Sequence, residues 1–290
     1  PTGSGKTTTL HSALSYINKT ETKIWTAEDP VEITQKGLRQ VQVQPRIGFD
    51  FASAMRAFLR ADPDVIMVGE MRDRETAETG LAAALTGHLV LSTLHTNDAP
   101  GAVTRLTEMG VPRYLVAGGL TGVLAQRLVR RLCPHCATIE PVAGEELFAL
   151  GLPTPPHLPR AVGCNRCDRT GFAGRIGVFE MLRIHAGIRQ LILDGAPTDD
   201  IREAAAAGGT TPLAVDAWRK VEAGLTTLDE VRPLLALLAD EARSCRSCGS
   251  RVARDHVFCP LCGGELRRRC RCGAVARGHW RFCGACGEGL

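Results

Sequence analysis

Ten residues, PTGSGKTTTL from Pro1 to Leu10, constrain the fold of this chain more than any others. They match the G-x-x-x-x-G-K-[ST] pattern with its first glycine missing. Gly3 and Gly5 let the backbone turn its N–H groups outward, Lys6 supplies a cation, and Thr7 supplies a hydroxyl for Mg²⁺. Residues 7–15 suit a helix, whose positive N-terminal end would face the same point. Thr2, Gly3, Ser4, Gly5, Lys6, Thr7 and Thr8 are therefore the candidate contacts to a phosphate-bearing ligand. An ordinary glycine-rich turn is the alternative, but it does not require Lys followed by Thr at the helix start. A loop of this kind is fed by a buried strand, which is expected upstream of Pro1, so the chain reads as a truncated piece.

The rest of the first half has the matching grammar. Residues 23–27 read as a short strand ending in Glu28 and Asp29, and residues 41–44 alternate like a second. Residues 49–61 place Phe51, Met55, Phe58 and Leu59 at helical spacing. Val65 to Val68 is a continuous apolar run, as in a strand covered on both faces, and it delivers Glu70 at its C-terminal end. Residues 74–86 form an Ala-rich helix, 89–94 another buried strand ending at His95, and 99–109 a helix. Strands alternating with helices predict a three-layer α/β domain with a largely parallel sheet. Residues 112–132 read as helix, although Gly118, Gly119 and Gly122 weaken it. Residues 171–182 read as a small hairpin. Helices follow at about 186–194, 198–207, 213–223 and 227–242.

All 12 cysteines fall in close pairs. Cys133, Cys136, Cys164 and Cys167 form one set of four. Cys245, Cys248, Cys259 and Cys262 form a second, and Cys270, Cys272, Cys283 and Cys286 a third. Knuckle-like spacing predicts three structural zinc sites in a reducing compartment, with a disulfide framework as the alternative. The formal net charge is +4. Each tetrathiolate zinc site contributes −2, so three bring the chain to about −2 and remove the case for a general attraction to nucleic acid. From Arg243 onward ten Arg face three Asp or Glu. Two zinc sites leave this tail at about +3, so nucleic acid is not an expected partner there either. No run of about 18 apolar residues exists, so no membrane span is expected. No signal peptide is visible.

These stretches, taken together, resemble the type II secretion and type IV pilus assembly ATPases, the GspE/PulE/PilB group. The resemblance covers residues 1 to about 233. Besides the loop it rests on TAEDPVE at 26–32, DPDVIMVGEMRDRETA at 62–77 and TGHLVLSTLHTNDA at 86–99. AQRLVRRLCPHC at 125–136, GCNRC at 163–167 and TGFAGRIGVFEML at 170–182 complete it. It implies a P-loop NTPase core of RecA-like (ASCE) type, binding ATP and Mg²⁺ in a cytoplasmic hexamer at the inner membrane, where platform or docking proteins provide the contact. Lys6 and Thr7 would take phosphate and Mg²⁺, and Glu28 would position or deprotonate the lytic water. Glu70 would stand at the Walker B position near Mg²⁺, in part through water, and His95 would lie near the γ-phosphate. Arg56, Arg60 and Arg72 lie in matching motifs and are candidates for interface or sensor duties, or for plain surface ion pairs. In the family a preceding domain helps complete the site, so activity of this chain alone is in doubt. The first four cysteines match a metal-binding insertion of the assembly branch, which retraction motors generally lack.

The expected organisation is a P-loop ATPase core at 1–125, a zinc-binding insertion at 126–182, a helical subdomain at 183–242 and a double zinc ribbon at 243–290. The expected function is a motor driving pilin or pseudopilin assembly. The rivals are a DNA-uptake or retraction motor of the same superfamily, and an inert, zinc-stabilised interaction module.

Overall fold

The computed structural model describes residues 2–141 and 157–241. Beyond these it describes 243–244, 247, 251–252, 258–259, 262–266, 270–274 and 281–289. The side chains of 237–241, 243–244 and 251–252 are not described.

The described residues begin with the loop and helix α1, Lys6–Ile17. Strands β1 (Ile24–Glu28), β2 (Arg39–Gln42), β3 (Val65–Val68) and β4 (Leu89–Ser92) form one parallel sheet in the order β2-β1-β3-β4. Helices α2 (Phe51–Phe58), α3 (Arg74–Leu85), α4 (Ala99–Glu108) and α5 (Arg113–Gly119) accompany it. The VIMV run of β3 is buried at every position, which explains its lack of polar alternation. Its residues divide by parity between two cores. Val65 and Met67 pack with Leu14 of α1 and Ile24. Ile66 and Val68 pack with Met55 and Phe58 of α2, with Ala27 and with Ala83 of α3. One strand with helices on both faces is the expected three-layer arrangement.

Helix starts are set by short acids. Asp50 and Ser53 form a reciprocal capping box on α2. Asp73 Oδ1 accepts from Thr76 N at 2.8 Å on α3, and Asp98 Oδ1 accepts from Gly101 N at 2.9 Å on α4. Each such cap is worth about 1 kcal/mol.

Two sequence expectations fail beyond α4. Residues 112–132 are not one helix. The helix stops at Gly119 and the chain continues as an eleven-residue strand, β5, Gly122–Leu132. Gly119 lies so close to α3 that a Cβ there would stand 2.8 Å from the Leu81 carbonyl oxygen. Nor are residues 171–182 a hairpin. They form one strand, β8, Phe172–Arg183, whose partner is β5, some forty residues earlier. Between them lie β6 (Thr138–Pro141) and β7 (His157–Arg160), an antiparallel pair. Helices α6 (Ala186–Asp194), α7 (Thr198–Ala207), α8 (Leu213–Glu222) and α9 (Leu228–Glu241) follow as expected. The short strands β9 (Arg243–Ser244) and β10 (Arg251–Val252) pair antiparallel.

The chain divides into two compact units. The first comprises Pro1–Arg130 and Arg175–Asp216; the second comprises Arg131–Gly174 and Ala217–Leu290. The division falls inside β5, β8 and α8, so it cuts the chain at places other than the four stretches expected from sequence. In the first unit the buried carboxylate of Glu180, on β8, accepts from Ala99 N at 3.0 Å and Leu213 N at 2.9 Å. It thereby ties the starts of α4 and α8 to the strand. No described helix is long and apolar enough to cross a membrane.

Candidate nucleotide site and metal centres

The parallel register brings the site together. Ala27, Val68 and Ser92 are aligned, so Glu28, Gly69 and Thr93 leave the sheet at the same end. Gly69 N donates to Ala27 O at 2.8 Å, and Thr93 Oγ1 donates to Gly69 O at 2.7 Å. That end opens into a cleft of about 420 Å³ lined by Thr2 to Thr8, Glu28, Glu70 and His95, among others.

The phosphate-loop geometry is present. Gly3 and Gly5 have φ of 76° and 84°, a region that disfavours any residue with a Cβ. A Cβ on Gly5 would also stand 2.8 Å from Gln126 Nε2. Gly5 caps α1 without a side-chain hydrogen bond, so the first-turn N–H groups of α1 are not claimed by a capping side chain. Burial lowers the pKa of the Lys6 ammonium, Glu70 raises it in opposition, and Arg127 adds to the lowering. A partly buried cation at a helix start suits a polyphosphate. These residues fit ATP with Mg²⁺: loop amides and Lys6 for phosphate, Thr7 and Glu70 for the metal.

Glu70 makes an ion pair with Arg72, and its Oε2 lies 3.3 Å from His95 Nε2. The hydrogen bond from Arg72 holds the carboxyl below its ordinary range against the opposing effect of burial, with His95 assisting. Arg72 also faces Asp29 at 3.9 Å. Glu28 is only 2 % exposed. Its Oε1 accepts from Thr26 Oγ1 at 2.6 Å and Gln40 Nε2 at 3.0 Å, and its Oε2 lies 3.1 Å from His11 Nε2. Arg56 pairs with Glu75 on α3, outside the residues that line the cleft.

Sequence reading missed several neighbours. Gln126 Oε1 accepts from Thr9 Oγ1 at 2.7 Å, and Arg127 donates to Asn97 O at 2.8 Å. Leu128 and Arg175 line the cleft from β5 and β8. The AQRLVRRL motif was the signal for Gln126, Arg127 and Leu128, but reading it as helix hid the face it presents; Arg175 lies in the TGFAGRIGVFEML motif, which was read as a hairpin. His11 carries no sequence signal at all.

The first cysteine set is assembled as expected. Cys133, Cys136, Cys164 and Cys167 have all four Sγ atoms within 4.8 Å of one another. The separations for 133–164, 136–167 and 164–167 are 4.0, 3.8 and 3.8 Å. Four sulfurs about 2.3 Å from one zinc ion would lie about 3.8 Å apart, so the donor set fits a closed, structural zinc site. The N–H groups of Cys164 and Gly171 reach Cys167 Sγ at 3.2 and 3.3 Å, bringing its pKa down to about 6. Burial pushes the Cys136 thiol up to about 12. Thiols this close do not all ionise unaided, and a dication supplies the missing compensation. Cys270, Cys272, Cys283 and Cys286 form a second cluster. Separations there are 3.4 Å for 270–286 and 3.6 Å for 272–283. No disulfide joins any two of the described cysteines. Of the remaining set, Cys245 and Cys248 lie outside the described residues. Cys259 and Cys283 make matching turns: Cys259 N donates to Gly264 O and Cys283 N to Glu288 O, each cysteine oxygen accepting from the glycine four residues on.

Residues 1–233 match the family model described as "Type II/IV secretion system protein", and residues 245–287 match "Double zinc ribbon". The chain belongs to the type II/IV secretion system protein family. Among its relatives in this family is the "Type IV pilus assembly ATPase PilB" of Myxococcus xanthus. It is 50% identical over 236 residues, covering 80% of this chain and 42% of that protein. The "Type II secretion system protein HxcR" of Pseudomonas aeruginosa is 50% identical over 231 residues, covering 80% and 46%. The "Type II secretion system ATPase E" of Vibrio cholerae is 48% identical over 236 residues, with the same coverages. The chain thus spans less than half the length of these relatives. Among solved structures, the pilus retraction motor PilT with bound ADP aligns at a TM-score of 0.58 and 31% identity, covering 80% of this chain and 58% of that one. The Legionella pneumophila ATPase DotB aligns at 0.58 and 25% identity, covering 81% and 58%. The fold expected from sequence, an α/β core of P-loop type, is that of these family members.

Proposed function

We propose that this chain is the catalytic core of an ATP-hydrolysing motor that drives pilin or pseudopilin assembly, in type IV pilus biogenesis or type II secretion. The observation that carries the reading is the single cleft that gathers the Lys6 loop, Glu28, Glu70 and His95 at one end of a parallel sheet. The relatives named as assembly and secretion ATPases support it.

In this reading the loop amides and Lys6 bind the β- and γ-phosphates, and Thr7 and Glu70 hold Mg²⁺. The metal, when bound, neutralises charge on the phosphate oxygens. Glu28 orients the attacking water or accepts its proton. Arg72 and His95 hold Glu70 in place until the site fills. Positioning and electrostatics supply most of the catalysis in phosphoryl transfer, so small displacements of these carboxylates matter. The protein works as a homohexamer in the cytoplasm, peripheral to the inner membrane through platform or docking proteins. The four-cysteine set at 133–167 and the double ribbon are structural zinc sites, and the ribbon is a candidate docking element.

ATP turnover by the full-length oligomeric protein, beside Glu70→Gln, tests this. The variant is expected to lose at least about a hundredfold, near 2.7 kcal/mol of barrier lowering. Absence of turnover in the intact wild-type protein would overturn the motor reading in favour of a zinc-stabilised interaction module.

A further inference from the structure

Glu28 is held by donors from three separate stretches: Thr26 on its own strand, Gln40 on β2 and His11 on α1. An ionised carboxylate offers about four lone-pair positions. Thr26 and Gln40 occupy both positions on Oε1, and His11 occupies one on Oε2. The remaining position is therefore on the oxygen that His11 holds, in a carboxylate that lines the cleft.

His11 is 2 % exposed, and its Nδ1 has no hydrogen-bond partner among the described residues. A buried N–H without an acceptor is costly, so Nδ1 is best left as a lone pair with the proton on Nε2, aimed at Glu28. Gln35 Nε2 donates to the His11 carbonyl at 2.9 Å, which fixes the backbone carrying the ring. The same helix begins at Lys6, five residues earlier.

We propose that His11 is a positioning residue for hydrolysis: its Nε2–H fixes Glu28 Oε2 so that the one free lone pair of the carboxylate meets the lytic water, and α1 links this contact to phosphate capture at Lys6. The inference rests on the reading of Glu28 given above.

The test is steady-state ATP hydrolysis by the full-length oligomeric protein carrying His11→Phe, His11→Gln, His11→Asn or Glu28→Gln. Phe fills the ring's space without a donor, Gln restores a donor at the Nε2 position, and the shorter Asn does not reach Oε2. His11→Phe is expected to lower kcat by about a hundredfold, with KM and affinity for a non-hydrolysable ATP analogue unchanged. His11→Gln is expected to recover most of the loss. Should the Phe variant not assemble, His11→Asn must show the same fall. Wild-type kcat in the Phe or Asn variant, or equal impairment of the Phe and Gln variants, overturns the proposal. Glu28→Gln separates the two levels. If it is inactive while His11→Phe is active, only the His11 inference fails. If it hydrolyses ATP like the wild type, the reading of Glu28 fails and His11 falls with it.

Discussion

Glu180 carries two helix starts on one carboxylate, each oxygen taking a backbone N–H. Replacing it by Gln keeps the shape but turns an NH₂ toward one of those donors. Glu180→Gln is therefore expected to destabilise the protein by about 1–3 kcal/mol at neutral pH, measurable by denaturant titration. Burial raises the Glu180 pKa, with the two N–H donors opposing it. Between the ordinary carboxylate value and the raised one, the native chain keeps a proton that the unfolded chain releases. This contribution to stability is complete below the ordinary value and is lost as pH rises through the raised one, and the Gln variant should lack that slope. Glu180 lies inside a motif that the sequence did mark, yet nothing in GVFEML says that the acid points inward. The site residues divide in the same way. Lys6, Thr7, Glu70 and His95 were legible because each stands at a loop or strand end with a known chemical task. His11 was not legible, because a histidine inside a helix announces no partner and Glu28 is seventeen residues away.

At the scale of elements, β3 was legible to the residue because a strand buried at every position reads as a short apolar run. The expected strand at 41–44 lies two residues earlier, at Arg39–Gln42, and the strand expected to be buried at 89–94 ends at Ser92 with no fully buried position, since each lies at an edge of the described sheet. The failures at β5 and β8 share a cause. Both strands take their pairing from a distant segment, and local periodicity carries no information about a partner so far along the chain. The glycines that weakened the expected helix have separate roles. A Cβ on Gly118 would meet only the end of the flexible Leu85 side chain, whereas one on Gly119 would meet the Leu81 carbonyl of α3. Gly119→Ala is accordingly expected to cost about 1–3 kcal/mol and Gly118→Ala much less, a contrast that paired thermal melts would read directly.

For the whole molecule, the cysteine arithmetic predicts the metal content. Metal analysis of the purified protein should find three zinc ions per chain, and Cys167→Ser should reduce the count to two. Nucleotide affinity should not change, because none of these cysteines lines the cleft. A count of one, or retention of all three in the variant, would contradict the tetrathiolate assignment. The two cysteine sets that the described residues bring together were the most legible feature outside the loop, because ligand spacing is a local property. The division into two compact units runs through the middle of strands, where no local property of the sequence marks it.

The sheet order has a practical corollary at the bench. Among the described strands β4 has a neighbour only at β3, and Leu89 at its start is exposed. Its other side has no strand neighbour among the described residues, and an edge of that kind is a template for a foreign strand. Edge-to-edge association through β4 is therefore expected to rise with protein concentration, which light scattering on a dilution series would read.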